Sequence, residues 1–167
     1  MMDAMSYREE PLLLEVLDEQ DELVIDLEKV RIVCEYILTD GNIHSGKINV
    51  VLVDSDTIQQ YNRDFLRHDY PTDTISFTTE DRRTEGYLEG EVLVCTEVAN
   101  ERAKEFGWTP EEELLLYVVH GMLHLTGFDD ATAEHQAVMQ EQERTYLAML
   151  GIQVPNWNWD DWNESDT

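Results

Sequence analysis

The sequence predicts one mixed α/β (α+β) domain built around a buried central helix. Its 167 residues suit a single domain, and 42% of them are apolar, which is enough for a core of this size. Strand-like and helix-like segments alternate, and one helical segment, residues 109–127, is apolar on nearly every face. We expect the domain to span residues 1–155 and to be followed by an acidic, tryptophan-rich tail at residues 156–167.

The first half of the chain alternates strands and helices. Residues 11–20 have the pattern of a strand, and residues 26–42 place apolar side chains at helical spacing before an Asp-Gly-Asn stop signal. The β-branched run at residues 47–54 predicts a buried strand. Residues 55–66 begin with Ser-Asp and predict a helix, and residues 72–78 predict a short strand after a proline.

The second half begins with a highly charged stretch. Residues 80–90 carry so much charge that we expect a loop there. Residues 91–107 predict a strand that runs into a helix, which Gly107 ends. Residues 131–150 predict a last amphipathic helix.

The helix at residues 109–127 has the clearest sequence signals. Thr109 and Glu112 have the spacing of a capping box, and Pro110 stands at the first helical position. The interior is apolar except for two histidines and Gly121. A helix that is apolar all round is typical of the middle of a core.

The chain is strongly acidic. Its 37 Asp and Glu residues outnumber 11 Lys and Arg residues, which gives a formal net charge of −26. This charge argues against sequence-independent binding of nucleic acid through phosphates, and we expect no DNA partner. The chain shows neither a signal peptide nor an apolar run long enough to span a membrane, so we expect a cytoplasmic protein without a membrane partner. Cys34 and Cys95 do not form a disulfide framework.

His120 and His124 belong either to a metal site or to a core helix that happens to carry two histidines. One helical turn separates them, so both imidazoles can bind one zinc ion. Gly127 can end the helix in a left-handed conformation, and the returning chain can bring Asp130 to the same ion. This is the spacing of ligands and turn glycine in metzincins. Two buried imidazoles without partners would cost desolvation energy, so we favour a metal site formed by His120, His124 and Asp130.

The third ligand and the metal have alternatives. His135, eleven residues after His124, competes with Asp130 for the third position. A fourth protein ligand would favour a structural site, whereas three ligands favour a catalytic site with a position for water. Zinc, one ion per chain, is the expected cofactor, although two histidines and an aspartate also suit other divalent ions.

Gly121 argues against one class of reaction, the hydrolysis of peptides by a zinc peptidase. In zinc peptidases the residue after the first histidine is a glutamate that acts as general base. Glycine cannot transfer protons, so the zinc peptidase or amidohydrolase interpretation lacks its key residue. A metal could still activate water and polarise a phosphoryl oxygen, with a base supplied from elsewhere.

Three blocks of the sequence resemble the YbeY family of bacterial single-strand endoribonucleases. They are residues 120–130 (HGMLHLTGFDD), residues 61–77 and residues 89–107. The resemblance implies helices around a small, largely parallel sheet with an antiparallel edge strand, and a zincin-like zinc site with three side-chain ligands. It also implies a role in ribosomal RNA maturation, including the 16S rRNA 3′ end, and in ribosome quality control. The implied partners are ribosomal RNA, the small ribosomal subunit and its assembly factors.

The chain departs from the family pattern at two positions. The third zinc ligand of the family is usually histidine, and Asp130 stands in its place. The family also has an arginine at the position of Leu66, and here Arg67 follows one residue later. An arginine there would hold a phosphate and stabilise its developing charge. We take Arg67 and the neighbouring His68, a possible general acid or base, as candidate catalytic residues.

Basic residues cluster in the blocks that flank the proposed site. They are Arg63, Arg67, His68, Arg82 and Arg83, and they predict a local basic rim that binds an RNA strand. The main alternatives to an RNA hydrolase are the zinc peptidase or amidohydrolase and a non-catalytic ribosome-assembly factor with a structural metal.

Overall fold

The computed structural model describes residues 10–66 and 72–154. The elements in chain order are β1 (Leu12–Asp18), α1 (Leu27–Asp40), β2 (Ser45–Val53), α2 (Ser55–Leu66), β3 (Thr74–Arg82), a 3₁₀ turn (Arg83–Glu85), β4 (Tyr87–Cys95), α3 (Thr96–Phe106), α4 (Pro110–Leu125) and α5 (Ala133–Met149). The predicted mixed α/β fold is confirmed. The predicted tail, residues 156–167, and the candidate catalytic residues Arg67 and His68 lie outside the described residues.

The four strands form one sheet in the order β1-β2-β4-β3. β1 and β2 pair in parallel, β2 and β4 pair in parallel, and β3 pairs antiparallel with β4 at the edge. This is the sheet that the family resemblance implies. The central strands β2 and β4 are apolar along most of their length because alternate side chains pack into apolar clusters on the two faces of the sheet.

The predicted loop at residues 80–90 is wrong. β3 continues through this stretch to Arg82, and β4 already begins at Tyr87, so only a 3₁₀ turn and Gly86 separate the strands. β3 lies at the sheet edge, where charged side chains reach solvent without leaving the strand. High charge therefore marked an exposed edge rather than a loop.

Helix α4 lies across one face of the sheet and contacts β3, β4, α1, α3 and α5. Most of its side chains are buried, as the apolar pattern predicted. The capping box is present: the Thr109 side chain accepts from the Glu112 N–H, and the Glu112 side chain accepts from the Thr109 N–H. None of the described helices combines the length and the hydropathy needed to cross a membrane.

Candidate metal centre

The C-terminal half of α4 and the turn that follows it bring three potential ligands together. His120 and His124 lie one turn apart on α4, and their side chains are 15% and 32% exposed. Asp130 lies beyond the end of the helix, and its side chain is 48% exposed. The three side chains therefore line a site at the protein surface, with its inner side set into the core.

The turn that returns the chain to His124 is a Schellman motif. The Gly127 N–H donates to the His124 carbonyl, and the Phe128 N–H donates to the Leu123 carbonyl. Gly127 has φ of 110°, a conformation that side-chain-bearing residues rarely adopt. A Cβ at this position would lie 2.1 Å from Nη1 of Arg83, so the guanidinium packs against the bare glycine. Glycine is therefore favoured here by its backbone conformation, and the Arg83 side chain occupies the space that a Cβ would take.

The distances within the cluster are close to those around a shared metal ion. The Nε2 atoms of His120 and His124 are 3.1 Å apart, and Oδ2 of Asp130 lies 3.9 Å and 3.7 Å from them. Ligand bonds of 2.0–2.2 Å in tetrahedral geometry place neighbouring donor atoms about 3.3–3.6 Å apart. Two imidazoles and one carboxylate are also a donor set that zinc accepts. The predicted group His120, His124 and Asp130 is thus brought together with spacing that fits a divalent ion.

The two histidines have opposite pKa shifts. Burial lowers the pKa of His120, but the hydrogen bond and charge of Glu143 outweigh it and, with Asp73 and Asp130, raise the pKa to about 9. Burial and the charge of His120 lower the pKa of His124, against the opposing charges of Asp130 and Asp129. The short distance between the rings adds to the burial effect on His124, because two charged imidazoles would repel each other at 3.1 Å.

Glu143 contributes to the site but was not predicted from the sequence. It lies on α5, is 1% exposed, and its Oε1 atom is 3.5 Å from Nδ1 of His120. Burial raises the pKa of Glu143, and its contact with His120 opposes that shift. In a chain with 37 acidic residues, no local pattern distinguishes this glutamate from its exposed neighbours.

His135, the alternative third ligand, has a different contact. Its Nδ1 atom lies 2.7 Å from Oδ1 of Asp129, and its side chain is 55% exposed. The group of potential ligands within 4.8 Å of one another contains Asp130 and not His135. Within the described part of the chain, the geometry therefore favours Asp130 as the third ligand.

Gly121 faces the sheet rather than the ligand cluster. A Cβ at this position would lie 2.5 Å from Cγ1 of Val92 and 2.8 Å from Cγ2 of Thr74. The Gly121 carbonyl also accepts a hydrogen bond of 2.9 Å from Oγ of Ser76 on β3. Close packing of α4 on the sheet therefore requires glycine where a zinc peptidase would carry its glutamate base.

The described residues of the predicted basic rim are paired with acidic neighbours. Arg63 lies 3.8 Å from Asp64, and Arg82 lies 2.8 Å from Glu80. Arg83 forms two hydrogen bonds of 2.9 Å to the Asp81 carboxylate through Nε and Nη2. These pairs reduce the positive charge that the rim offers. Arg83 is the member that also lies against the ligand-bearing turn, through its contact with Gly127.

Comparison with known proteins identifies relatives of this fold and sequence. A family model described as Endoribonuclease YbeY matches residues 15–151. Proteins named Endoribonuclease YbeY include one from Salinibacter ruber that is 38% identical over 145 residues, covering 83% of this chain and 90% of the relative. One from Carboxydothermus hydrogenoformans is 33% identical over 143 residues, covering 84% and 99%. One from Rhodopirellula baltica is 45% identical over 112 residues, covering 66% of this chain and 57% of the relative. The solution structure of a Thermotoga maritima protein is similar with a TM-score of 0.59 at 29% identity, covering 92% of this chain and 93% of that chain.

Proposed function

The chain belongs to the YbeY endoribonuclease family, and on that premise we propose that it is a metal-dependent endoribonuclease that cleaves single-stranded RNA during ribosomal RNA processing. The observation that carries the metal dependence is the spacing of His120, His124 and Asp130, whose donor atoms lie 3.1–3.9 Å apart. Zinc is the proposed ion because two imidazoles and a carboxylate suit it.

Three protein ligands leave a tetrahedral ion one further position, as in catalytic rather than structural zinc sites. When bound, zinc would lower the pKa of a water molecule and polarise a phosphoryl oxygen. The chain's own contribution is to hold the ion on α4 and the following turn. Gly121 cannot act as a base. We therefore assign phosphate binding to Arg67 and proton transfer to His68.

Arg83 supports RNA binding next to the ligand cluster. Asp81 fixes the Nε/Nη2 edge of its guanidinium, and Nη1 lies against the turn at Gly127. An arginine held in this way presents remaining N–H groups with little loss of conformational entropy. A phosphate of the RNA strand would pair with it, while the acidic exterior would reject loosely bound nucleic acid.

The proposal extends to partners and cellular role. Ribosomal RNA as substrate would bring the protein to the small ribosomal subunit and its assembly factors, in the cytoplasm. Maturation of the 16S rRNA 3′ end and ribosome quality control are the roles that the family resemblance implies for such an enzyme.

The proposal is tested by cleavage of matched RNA substrates. We expect the purified protein to cut a labelled single strand much faster than the same sequence in a duplex. Removal of the metal with a chelator should abolish cleavage, and added zinc should restore it. Asp130→Ala should lose activity, whereas Asp129→Asn, which keeps the oxygen that accepts the Ala131 N–H, should retain it.

Other outcomes of this assay would contradict the proposal. Cleavage that persists in the chelator-treated protein and in Asp130→Ala would exclude the ligand cluster as the source of activity. Zinc binding without cleavage of either substrate would favour a non-catalytic assembly factor. Turnover of a casein substrate by the zinc-loaded protein would favour the peptidase alternative, which the packing of Gly121 opposes.

A further inference from the structure

Glu143 is a charged residue at a core position of α5. The buried residues of this helix are Met139, Glu143, Tyr146 and Leu147, which lie at helical spacing on one face. Three of them are hydrophobic or aromatic and pack into the main core. The fourth, Glu143, places a carboxylate among them, and its side chain is 2% exposed. A buried carboxylate costs stability unless its partners compensate for the lost hydration.

Among the described residues, only one of the two carboxylate oxygens of Glu143 has a partner that compensates for its lost hydration. Its Oε1 atom lies 3.5 Å from Nδ1 of His120, and its Oε2 atom is buried without a hydrogen-bond partner in the described structure. An apolar residue at this position would avoid an unsatisfied oxygen. Packing therefore does not explain the glutamate, whereas its contact with His120 does.

The contact lies on the opposite edge of the ring from the ligand cluster. Nδ1 of His120 faces Glu143, and Nε2 faces His124 and Asp130 at 3.1 Å and 3.9 Å. A neutral imidazole carries its proton on one nitrogen and offers a lone pair on the other. A carboxylate that accepts a hydrogen bond from Nδ1 keeps the proton there and leaves Nε2 free to bind a metal.

We propose that Glu143 is a positioning residue of the metal site, which holds His120 in the orientation and tautomer that present Nε2 to the ion. The inference rests on the proposed metal-dependent function. It connects α5 to the site, although α5 supplies none of the three ligands. It also explains why a carboxylate stands at a buried position where it is unfavourable for stability.

The test compares zinc affinity with stability in three variants. Glu143→Ala removes the acceptor, and Glu143→Gln keeps a neutral oxygen that can still accept from Nδ1. Glu141→Gln is the matched control, since it removes an acidic charge from the exposed face of the same helix. Zinc affinity is measured by competition with a chromophoric chelator, and the metal-free proteins are compared by thermal unfolding.

We expect Glu143→Ala to weaken zinc binding by about 10- to 100-fold, the usual effect of losing such a partner. Glu143→Gln should retain part of that affinity, and Glu141→Gln should match the wild type. Thermal unfolding of the metal-free proteins gives the folded fraction of each variant, so that zinc affinity is compared per folded molecule. Lower stability with unchanged zinc affinity per folded molecule would instead indicate a purely structural role.

The outcomes separate this inference from the proposed function. If the wild type binds zinc and Glu143→Ala binds it within twofold of the wild type, the inference is overturned while the metal site stands. If Glu143→Ala does not fold, the comparison of Glu143→Gln with Glu141→Gln decides, and equal affinities overturn the inference. A wild type that binds no zinc contradicts the metal-dependent function and this inference with it.

Discussion

The two ends of helix α4 are built for different purposes. At its N-terminal end, Thr109 and Glu112 satisfy each other's N–H groups in a capping box, which stabilises the helix. At its C-terminal end, the Nε2 atoms of His120 and His124 lie 3.1 Å apart, within hydrogen-bond distance and at a spacing that a shared metal ion would also suit. Local signals therefore stabilise the helix at its N-terminal end and bring the proposed metal ligands together at its C-terminal end.

Two buried glutamates make the same contrast. Glu113, near the N-terminal end, is fully buried and accepts a hydrogen bond of 2.5 Å from the indole N–H of Trp108. This bond joins the start of α4 to the segment that leads into it. Glu143 faces His120 instead, next to the ligand cluster. Burial alone therefore does not distinguish the two carboxylates; their partners do.

The largest expected effect is the loss of a ligand at the C-terminal end. His124→Ala should reduce zinc affinity more than about 100-fold, because a ligand contributes more than its supporting partners. The free energy of unfolding of the metal-free protein should change by less than about 1 kcal/mol, since the side chain is partly exposed. Isothermal titration with zinc and chemical denaturation measure the two quantities.

His135→Ala is the matched control for this variant. His135 contacts Asp129 outside the cluster, so its removal should leave zinc affinity unchanged. An equal loss of affinity in both variants would show that His135 is a ligand, either in place of Asp130 or as a fourth ligand of a structural site.

An intermediate effect is expected from alanine in the turn between the ligands. Gly127→Ala should destabilise the protein by about 1–2 kcal/mol, because φ of 110° is strained for alanine. Its Cβ would also displace Arg83 and shift the loop that carries Asp130, so zinc affinity should fall about tenfold.

Gly107→Ala is the control that separates the effect of backbone strain from the effect of displacing Arg83. Gly107 ends α3 with φ of 77°, and a Cβ there would meet nothing within 4 Å. We expect a similar loss of stability in chemical denaturation but no change in zinc affinity. A matching loss of affinity in Gly107→Ala would indicate that the site responds to global stability rather than to its own turn.

The smallest effect is expected at the N-terminal cap. Thr109→Ala removes the side chain that accepts from the Glu112 N–H and should cost about 1 kcal/mol of unfolding free energy. Zinc affinity should remain that of the wild type, because the cap lies at the far end of the helix. Reduced affinity in this variant would remove the proposed distinction between the two ends of α4.

The sequence predicted the elements whose signals are local. The glycine at position 107 predicted the end of α3, and the structure agrees. The capping box at Thr109 and the apolar run after it predicted the start and the burial of α4, and the structure agrees with both. The grouping of His120, His124 and Asp130 was also predicted, because the constraint acts over a single turn and the reversal after it; their role as metal ligands stays a prediction.

The features that were missed depend on long-range packing. Residues 80–90 form strand and turn because β4 supplies a partner for β3, and charge density carries no information on strand pairing. Glu143 becomes distinctive only when α5 packs on α4 and brings it to His120. Gly121 was interpreted as the absence of a base, and the sheet beneath it gives the physical reason for that absence.

The central claim is that His120, His124 and Asp130 form one metal centre. Elemental analysis of the purified wild type beside Asp130→Ala tests it most directly. We expect about one zinc ion per wild-type chain and a large loss in the variant. A wild type that remains without metal after zinc is supplied, or a variant that retains a full ion, would contradict it.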